Sequence, residues 1–408
     1  MILNPAILTL ILMSILTAIF AVYASTVGYR ILRNWDIESG SEAQLALERQ
    51  TDLVSLILTH LFIVGLFSMF FLVRTADRIH PLFTGAMCAA GSLNVNGYGY
   101  PALLVKLATT MLSGLWLILN HTDHQCPDYP LIRPKYRLLF AVTVLCILDA
   151  YLVTEYFRNM RADIVTSCCG VLFDETARGI SGKMASLSPI PMKILFYMSL
   201  ILILCSGAHY LIIRKSAALF SCLSLFFFFV SIASIVSFIS LHIYELPTHH
   251  CPFCLLQKEY GYMGYPLYIT LLTGGIAGLS VGVLEQVNGP SSCEISLPVL
   301  QRRLCLTAII AFLIFAALST WPIFFSDFTL NGYSYWIYEA GPGSRCTPNP
   351  PQPEKKPQLN LLAHSDTMIF KRLRNEVNPD ATRNASDPTQ SGGLEFNLDV
   401  IKLLWLNI

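Results

Sequence analysis

The chain is 408 residues long, 54% hydrophobic and only 13% charged, with a formal net charge of +1. Soluble domains carry about 25% charged residues, so this composition excludes an ordinary soluble fold and indicates an all-α, polytopic membrane protein whose first partner is membrane lipid. No basic run or face stands out, which excludes a nucleic-acid partner.

A spanning helix needs roughly 20 mostly apolar residues. Eight runs qualify, at about 4–25, 52–73, 100–120, 138–158, 193–213, 217–243, 263–285 and 303–325. The first has no small-residue cleavage pattern and reads as a helix rather than a signal peptide. No basic residue precedes it, whereas Arg30 and Arg33 follow. The positive-inside rule therefore places the amino terminus outside. On that orientation the inner loops carry Arg30 and Arg33, then Arg133, Lys135 and Arg137, then Arg214 and Lys215, then Arg302 and Arg303. The outer segments carry Cys88, then Cys168 and Cys169, then Cys251 and Cys254, then Cys346. Arg158, Arg161, Arg178 and Lys183 around the outer 159–192 loop run against the trend. The expected location is a bacterial inner (plasma) membrane with the cysteine motifs on its outer side. Cys146, Cys205, Cys222 and Cys305 fall inside apolar runs and read as small buried hydrophobes.

An internal repeat divides the chain. MCAAGSLNVNGYGYP (87–101) lies over FCLLQKEYGYMGYP (253–266): a cysteine at the outer mouth, a Gly-Tyr-rich turn, then Tyr-Pro opening a helix. Proline suits the first helical turn, where its missing N–H is not needed. CPDYPLIRPKYR (126–137) likewise resembles CEISLPVLQRR (293–303), and Cys168-Cys169 after helix four weakly matches Cys346 after helix eight. The repeat implies two tandem four-helix units, 1–192 and 193–325, with the mouths of helices three and seven on one membrane face. In the first unit Thr84 or Gly85 stands where the second has the leading cysteine of its CxxC. Residues 326–408 form a polar tail, expected to be largely disordered. It holds a proline-rich linker (348–358) and a closing segment, 396–408, too short to span.

The stretch YELPTHHCPFCLLQKEYGYMGYPLY (244–268) concentrates the chemistry. Cys251 and Cys254 are spaced to close a small, readily reduced disulfide, and a thiolate there would be favoured at a helix N-terminus or beside protonated His249 or His250. The same pair admits a metal site or a static disulfide.

A CPxC at an outer helix mouth followed by Leu-Leu-Gln-Lys resembles the DsbB kind of disulfide-generating membrane oxidoreductase, to which the four-helix vitamin K epoxide reductases are related. The resemblance covers about 193–346. It implies that Cys251 exchanges with an outer-side thiol protein or small thiol and that Cys254 faces a membrane quinone. Gln257 and Lys258 then fall at the family's Gln-Arg positions beside the quinone head. Lys258 departs from that pattern, as does the lone Cys346 in place of a second cysteine pair, and no ninth span follows.

Cys168-Cys169 could form a strained, labile disulfide or hold a soft metal. By the repeat these two would lie near Cys88, and Cys346 near the CPFC pair. Met87-Cys88, with His80 upstream, could be a thiolate with a soft neighbour, although packing is the ordinary role of such a methionine. The tyrosines at 98, 100, 260, 262, 265 and 268 fit an interfacial belt; Tyr262 and Tyr265 could also wall a quinone pocket. Asn94 and Asn96 suit a turn beside Gly97.

Within the spans Asp149, His60, His209 and His242 are costly and functional by default. Asp149 reads as a proton relay to reduced quinone or as a hydrogen-bonded structural residue. His60 with His209 could clamp a haem, while the absence of CxxCH excludes a covalent c-type haem. Cys126 and Cys293 fall on the reducing side, where disulfides rarely persist, and read as a mark of duplication. No paired intramembrane charges mark a transport path.

Three functions follow. The first is a thiol–disulfide oxidoreductase working between outer thiols and membrane quinone. The second is a metal-handling protein with His249, His250, Cys251, Cys254, Met87 and Cys88 as ligands for copper, zinc or another soft metal. The third is a non-enzymatic membrane subunit stapled by its cysteines.

Overall fold

Each of the eight apolar runs becomes a helix, and several run on past the apolar stretch that announced them. The computed structural model describes residues 3–325 apart from 37, 38, 40, 127, 162–165, 167–186, 248 and 286–295. Cys168, Cys169, Cys293, Cys346 and the whole expected tail lie outside the described residues. The helices are α1 (Pro5–Asn34), α2 (Glu42–Ile79), α3 (Gly99–His124), α4 (Ile132–Arg158), α5 (Pro189–Ile213), α6 (Ala217–Tyr244), α7 (Gly264–Glu285) and α8 (Ser296–Phe325). All eight are long and apolar enough to cross a membrane, and no strand occurs among the described residues.

The extensions have local causes. Asn4 caps α1 by accepting from the Ala6 N–H at 3.0 Å, with Pro5 in the first turn. Ser41 caps α2 ahead of a polar first stretch, and Leu47 and Thr51 on that stretch are buried. At 38 residues α2 is about 57 Å long, well beyond a hydrocarbon core of about 30 Å. Its polar start therefore projects past the membrane.

Large apolar side chains cover the outside of the helices, for instance Leu12, Leu16, Ile19 and Val22 on α1. Polar side chains such as Ser14, Lys106, Asp149 and Ser224 lie inside. A protein whose solvent is lipid has this arrangement, because hydrocarbon outside cannot satisfy a polar group.

Helix packing follows the two halves. In the first, α1 meets α2 and α4, and α3 meets α2 and α4, closing a ring of four. In the second, α5 meets α6 and α8, and α7 meets α6 and α8, which is the same ring. The halves meet through their equivalent third helices, α3 and α7. Both begin with Gly-Tyr-Pro, at Gly99 and Gly264. The contact is reciprocal. A Cβ on Gly114 of α3 would lie 2.7 Å from Ile276 of α7, and one on Gly275 of α7 would lie 3.1 Å from Met111 of α3. Small residues let two backbones approach where no hydrophobic effect drives helices together. This contact holds the α3 and α7 mouths on one face.

Candidate functional site

The site is built from the two loops that enter α3 and α7. In the first half α2 stops at His80-Pro81, where proline cannot donate to the helix ladder, and a 3-10 turn (His80–Leu82) follows. Gly85 then takes φ +90, a conformation that favours glycine. A Cβ there would stand 2.3 Å from the Thr166 carbonyl oxygen. Thr166 is fastened across this loop: its N–H donates to the Thr84 carbonyl at 3.0 Å and its hydroxyl to the Gly91 carbonyl at 3.1 Å. Cys88 precedes a single buried turn, Ala89–Leu93. Behind that turn, Tyr156 of α4 donates its hydroxyl to the Ser92 carbonyl at 3.1 Å. Asn96 serves the expected turn, accepting from Tyr98 N–H at 3.1 Å and donating to the Tyr156 carbonyl at 2.9 Å.

In the second half α6 contains a π turn, Ile235–Ile239. The Val236 carbonyl of that turn accepts from His250 Nδ1 at 2.9 Å. A carbonyl can only accept, so Nδ1 carries the hydrogen, and in the neutral ring Nε2 holds the lone pair. Tyr244 donates its hydroxyl to the Cys251 carbonyl, and Tyr268 donates to the Pro252 carbonyl at 2.6 Å. Two phenols thus hold the Cys-Pro-Phe-Cys backbone against α6 and α7. Gln257 reaches across to the first half, its amide donating to Asp77 Oδ1 at 2.8 Å and to the Met87 carbonyl at 3.3 Å. Phe253 meets Tyr100 edge-on, ring centroids 6.3 Å apart.

These two fastened loops bring Cys88, Cys251 and Cys254 together. Their sulfurs all lie within 4.8 Å of one another, and Cys88 Sγ is 3.6 Å from Cys251 Sγ. All three side chains are buried thiols, at most 4% exposed. A helix N-terminus is one of two ways the CPFC thiolate could be favoured, and the structure does not place the pair at the start of a long helix. Cys254 opens a three-residue 3-10 turn, Cys254–Leu256, and α7 begins only at Gly264. Gly261 and Tyr262, both at positive φ, separate the two. One turn of chain sums too few peptide dipoles to act as a helix end.

The remaining expected site residues are spread around the cluster. Lys258 is exposed, in the 3-10 turn Lys258–Tyr260. Tyr262 lies under the Arg74 guanidinium at 5.7 Å, and Tyr265 lies against Tyr262 and Phe70, each at 6.1 Å. His249 packs edge-on against Tyr244 at 4.7 Å. The Met87 side chain is 64% exposed, and what it offers the neighbouring loop is its carbonyl. His60 and His209 are exposed on helices of different bundles, which does not make a haem clamp.

Two buried ion pairs overturn the expectation that no intramembrane charges are paired. Lys106 of α3 and Asp149 of α4 meet at 2.8 Å. Lys106 Nζ also lies 3.3 Å from Ser14 and 3.4 Å from Ser68, while the Ser14 hydroxyl donates to Asp149 Oδ2 at 2.9 Å. At the opposite mouth Lys135 meets Asp123 at 2.7 Å and donates to Asn120 Oδ1 at 3.2 Å. Lys135 therefore is not a free loop charge, which removes one residue from the positive-inside count. Hydropathy hid the first pair, because one lysine among twenty apolar residues does not lower a span below threshold, whereas Asp123 and Lys135 fall just outside the apolar runs at 100–120 and 138–158. Cys126, expected on the reducing side and read as a mark of duplication, is disulfide-bonded, a state that a reducing compartment would not sustain. Comparison with protein-family models, curated proteins and solved structures finds no match to this chain.

Proposed function

We propose that the protein is a membrane thiol–disulfide oxidoreductase, exchanging electrons between outer-face thiols and membrane quinone through Cys88, Cys251 and Cys254. The observation that carries this reading is the convergence of three buried thiols, two from one half of the chain and one from the other, within 4.8 Å. Two thiols closing to a disulfide release two electrons and two protons. A quinone at this mouth would supply the acceptor, taking up that pair of electrons and protons. Tyr262, Tyr265 and Phe70 offer apolar ring surface for it beside Arg74. Lys258 is exposed at the same mouth, whereas the Gln257 amide already serves Asp77.

The chain's own residues then act in a definite order. Cys251, adjacent to His250, is the exchanging thiol. Cys254 is its resolving partner, and Cys88 is a third thiol able to close on Cys251. Burial prevents a partner protein from attacking the cluster directly, so a shuttle is needed. Cys168 and Cys169 fit that role, two and three residues beyond Thr166, which is fastened to the Cys88 loop. Cys346 is the second candidate shuttle. We place this mouth on the outer side of a bacterial inner membrane, following the arginines of the opposite loops. Side-specific thiol labelling of the loops tests this placement.

The test is redox trapping. Thiols are alkylated before and after reduction and the pairs mapped, with and without added quinone. A Cys251 disulfide to Cys254 or Cys88 that forms on adding quinone is expected; thiols unchanged by quinone would sink the proposal. A second reading rests on the same tripod, since three sulfurs this close match three metal–sulfur bonds of about 2.3 Å. It predicts one copper or zinc ion per purified chain, lost in Cys88→Ser.

A further inference from the structure

The Lys106–Asp149 pair lines a cavity of about 30 Å³ together with Ser14, Thr17, Ser68, Thr110 and Ser113. That is room for one or two waters, and the lining supplies the polar partners a water needs. Lys106 begins seven residues after Gly99, about 10 Å into the bundle from the cysteine-bearing mouth. Its ammonium has three oxygen neighbours, in Asp149, Ser14 and Ser68. Asp149 is 5% exposed, and its Oδ1 has no hydrogen-bond partner within the protein. A buried carboxylate oxygen left unsatisfied beside a water-sized polar cavity is a place for water or a proton.

A polar line continues from it. Thr110 and Ser113 line the cavity on the face of α3 that holds Lys106, Asn120 follows on that face two turns on, and buried Asp123 lies one turn further at the end of the helix. Asn120 donates to Thr59 of α2 at 3.2 Å and accepts from Lys135, which pairs with Asp123 at the far mouth. Trp116 Nε1, between the two groups, is buried without a protein partner. The second bundle closes the same ring of four helices with no buried ion pair among the described residues. Its helices meet on Phe196, Phe227, Phe312 and Phe315, and the repeat sets Leu271 where the first half has Lys106. Ionisable groups inside a membrane are costly and mark pathways.

We propose that the interior of the first bundle is a proton path, with Asp149 and Lys106 forming its binding site and Asn120, Lys135 and Asp123 its far end. Asp149 Oδ1 takes up an excess proton carried by hydronium in the cavity, leaving water, and passes it to a water further along the line, which becomes hydronium. One positive charge moves per event, and no electron does. The titratable groups facing Asp149 are Lys106 from α3 and Cys146 from α4 itself; α1 and α2 present only the hydroxyls of Ser14, Thr17 and Ser68. This path is independent of the thiol chemistry proposed above.

The experiment uses the full-length protein in lipid vesicles containing a pH-sensitive dye, with a potassium diffusion potential set by valinomycin. Vesicles with protein are expected to acidify at least tenfold faster than protein-free vesicles. The double variant Lys106→Met/Asp149→Asn, which leaves no unpaired buried charge, is expected to fall to the protein-free rate, and Asp149→Glu to keep flux above it. Wild-type vesicles no faster than protein-free ones would overturn the proposal whatever the variants do. A folded double variant with the wild-type rate would overturn it as well.

Discussion

Cys88 Sγ and Cys251 Sγ stand 3.6 Å apart although 163 residues separate them in the chain. One sulfur enters from each half, so this contact exists only when the two four-helix rings are docked. A disulfide needs an S–S length near 2.05 Å, which small side-chain rotations can reach from here. In a Cys254→Ser background, mild oxidation should therefore link Cys88 to Cys251, and mass spectrometry of the digested protein should find that cross-linked peptide pair. Finding neither peptide cross-linked would mean that the two loops do not meet in solution.

The place of the missing cysteine in the first half is explained by Gly85. Its φ of +90 disfavours any side chain, and a Cβ would meet the Thr166 carbonyl at 2.3 Å. Gly85→Ala should cost roughly 1–3 kcal/mol and lower the thermal midpoint in detergent. It should also expose Cys88 to alkylation, because the Thr166 bonds to Thr84 and Gly91 depend on that approach. An unchanged midpoint with Cys88 still protected would refute this account of the loop.

The sequence made the helices legible because lipid exposure writes long apolar runs into a chain whatever the interior contains. It also showed Cys88 and Cys254 on one face, because alternating spans and the repeated Gly-Tyr-Pro entry fix that parity. What it could not show was distance. Nothing in the spacing of Met87, Cys88 and Gly275 reveals that α3 and α7 are the helices that touch, and Cys88 joins the CPFC pair through that contact. Lys106 was visible in its span and was passed over, because only the structure supplies its partner 43 residues away on α4. Gln257 was read through the quinone-binding residues of a resembling family, whereas its amide bonds Asp77 and Met87.

Gln257 and Asp77 therefore form a tie between the halves, 2.8 Å long. A hydrogen bond to a charged group contributes about 1.5–3 kcal/mol. Gln257→Leu should lower stability by a figure in that range and leave Asp77 without its amide donor. Gln257→Glu should do worse, since it sets two carboxylates against each other at the same spot. A double-mutant cycle with Asp77→Asn checks the assignment: strictly additive effects would show that the two side chains do not interact.

The Lys106–Asp149 pair makes a different demand on stability. Removing one partner of a buried ion pair strands the other charge, at a cost of about 3–5 kcal/mol. Removing both strands nothing. Lys106→Met and Asp149→Asn should each lower the unfolding midpoint in detergent sharply, while the double variant should recover most of the loss. The coupling so measured separates two reasons for the pair to exist. If the double variant is as stable as the wild type, the ion pair contributes little net stability. The second bundle already indicates this, since it closes the same ring on phenylalanine. A double variant no better than the worse single would instead make the pair a structural element of the first bundle and remove the energetic argument for its role in moving protons.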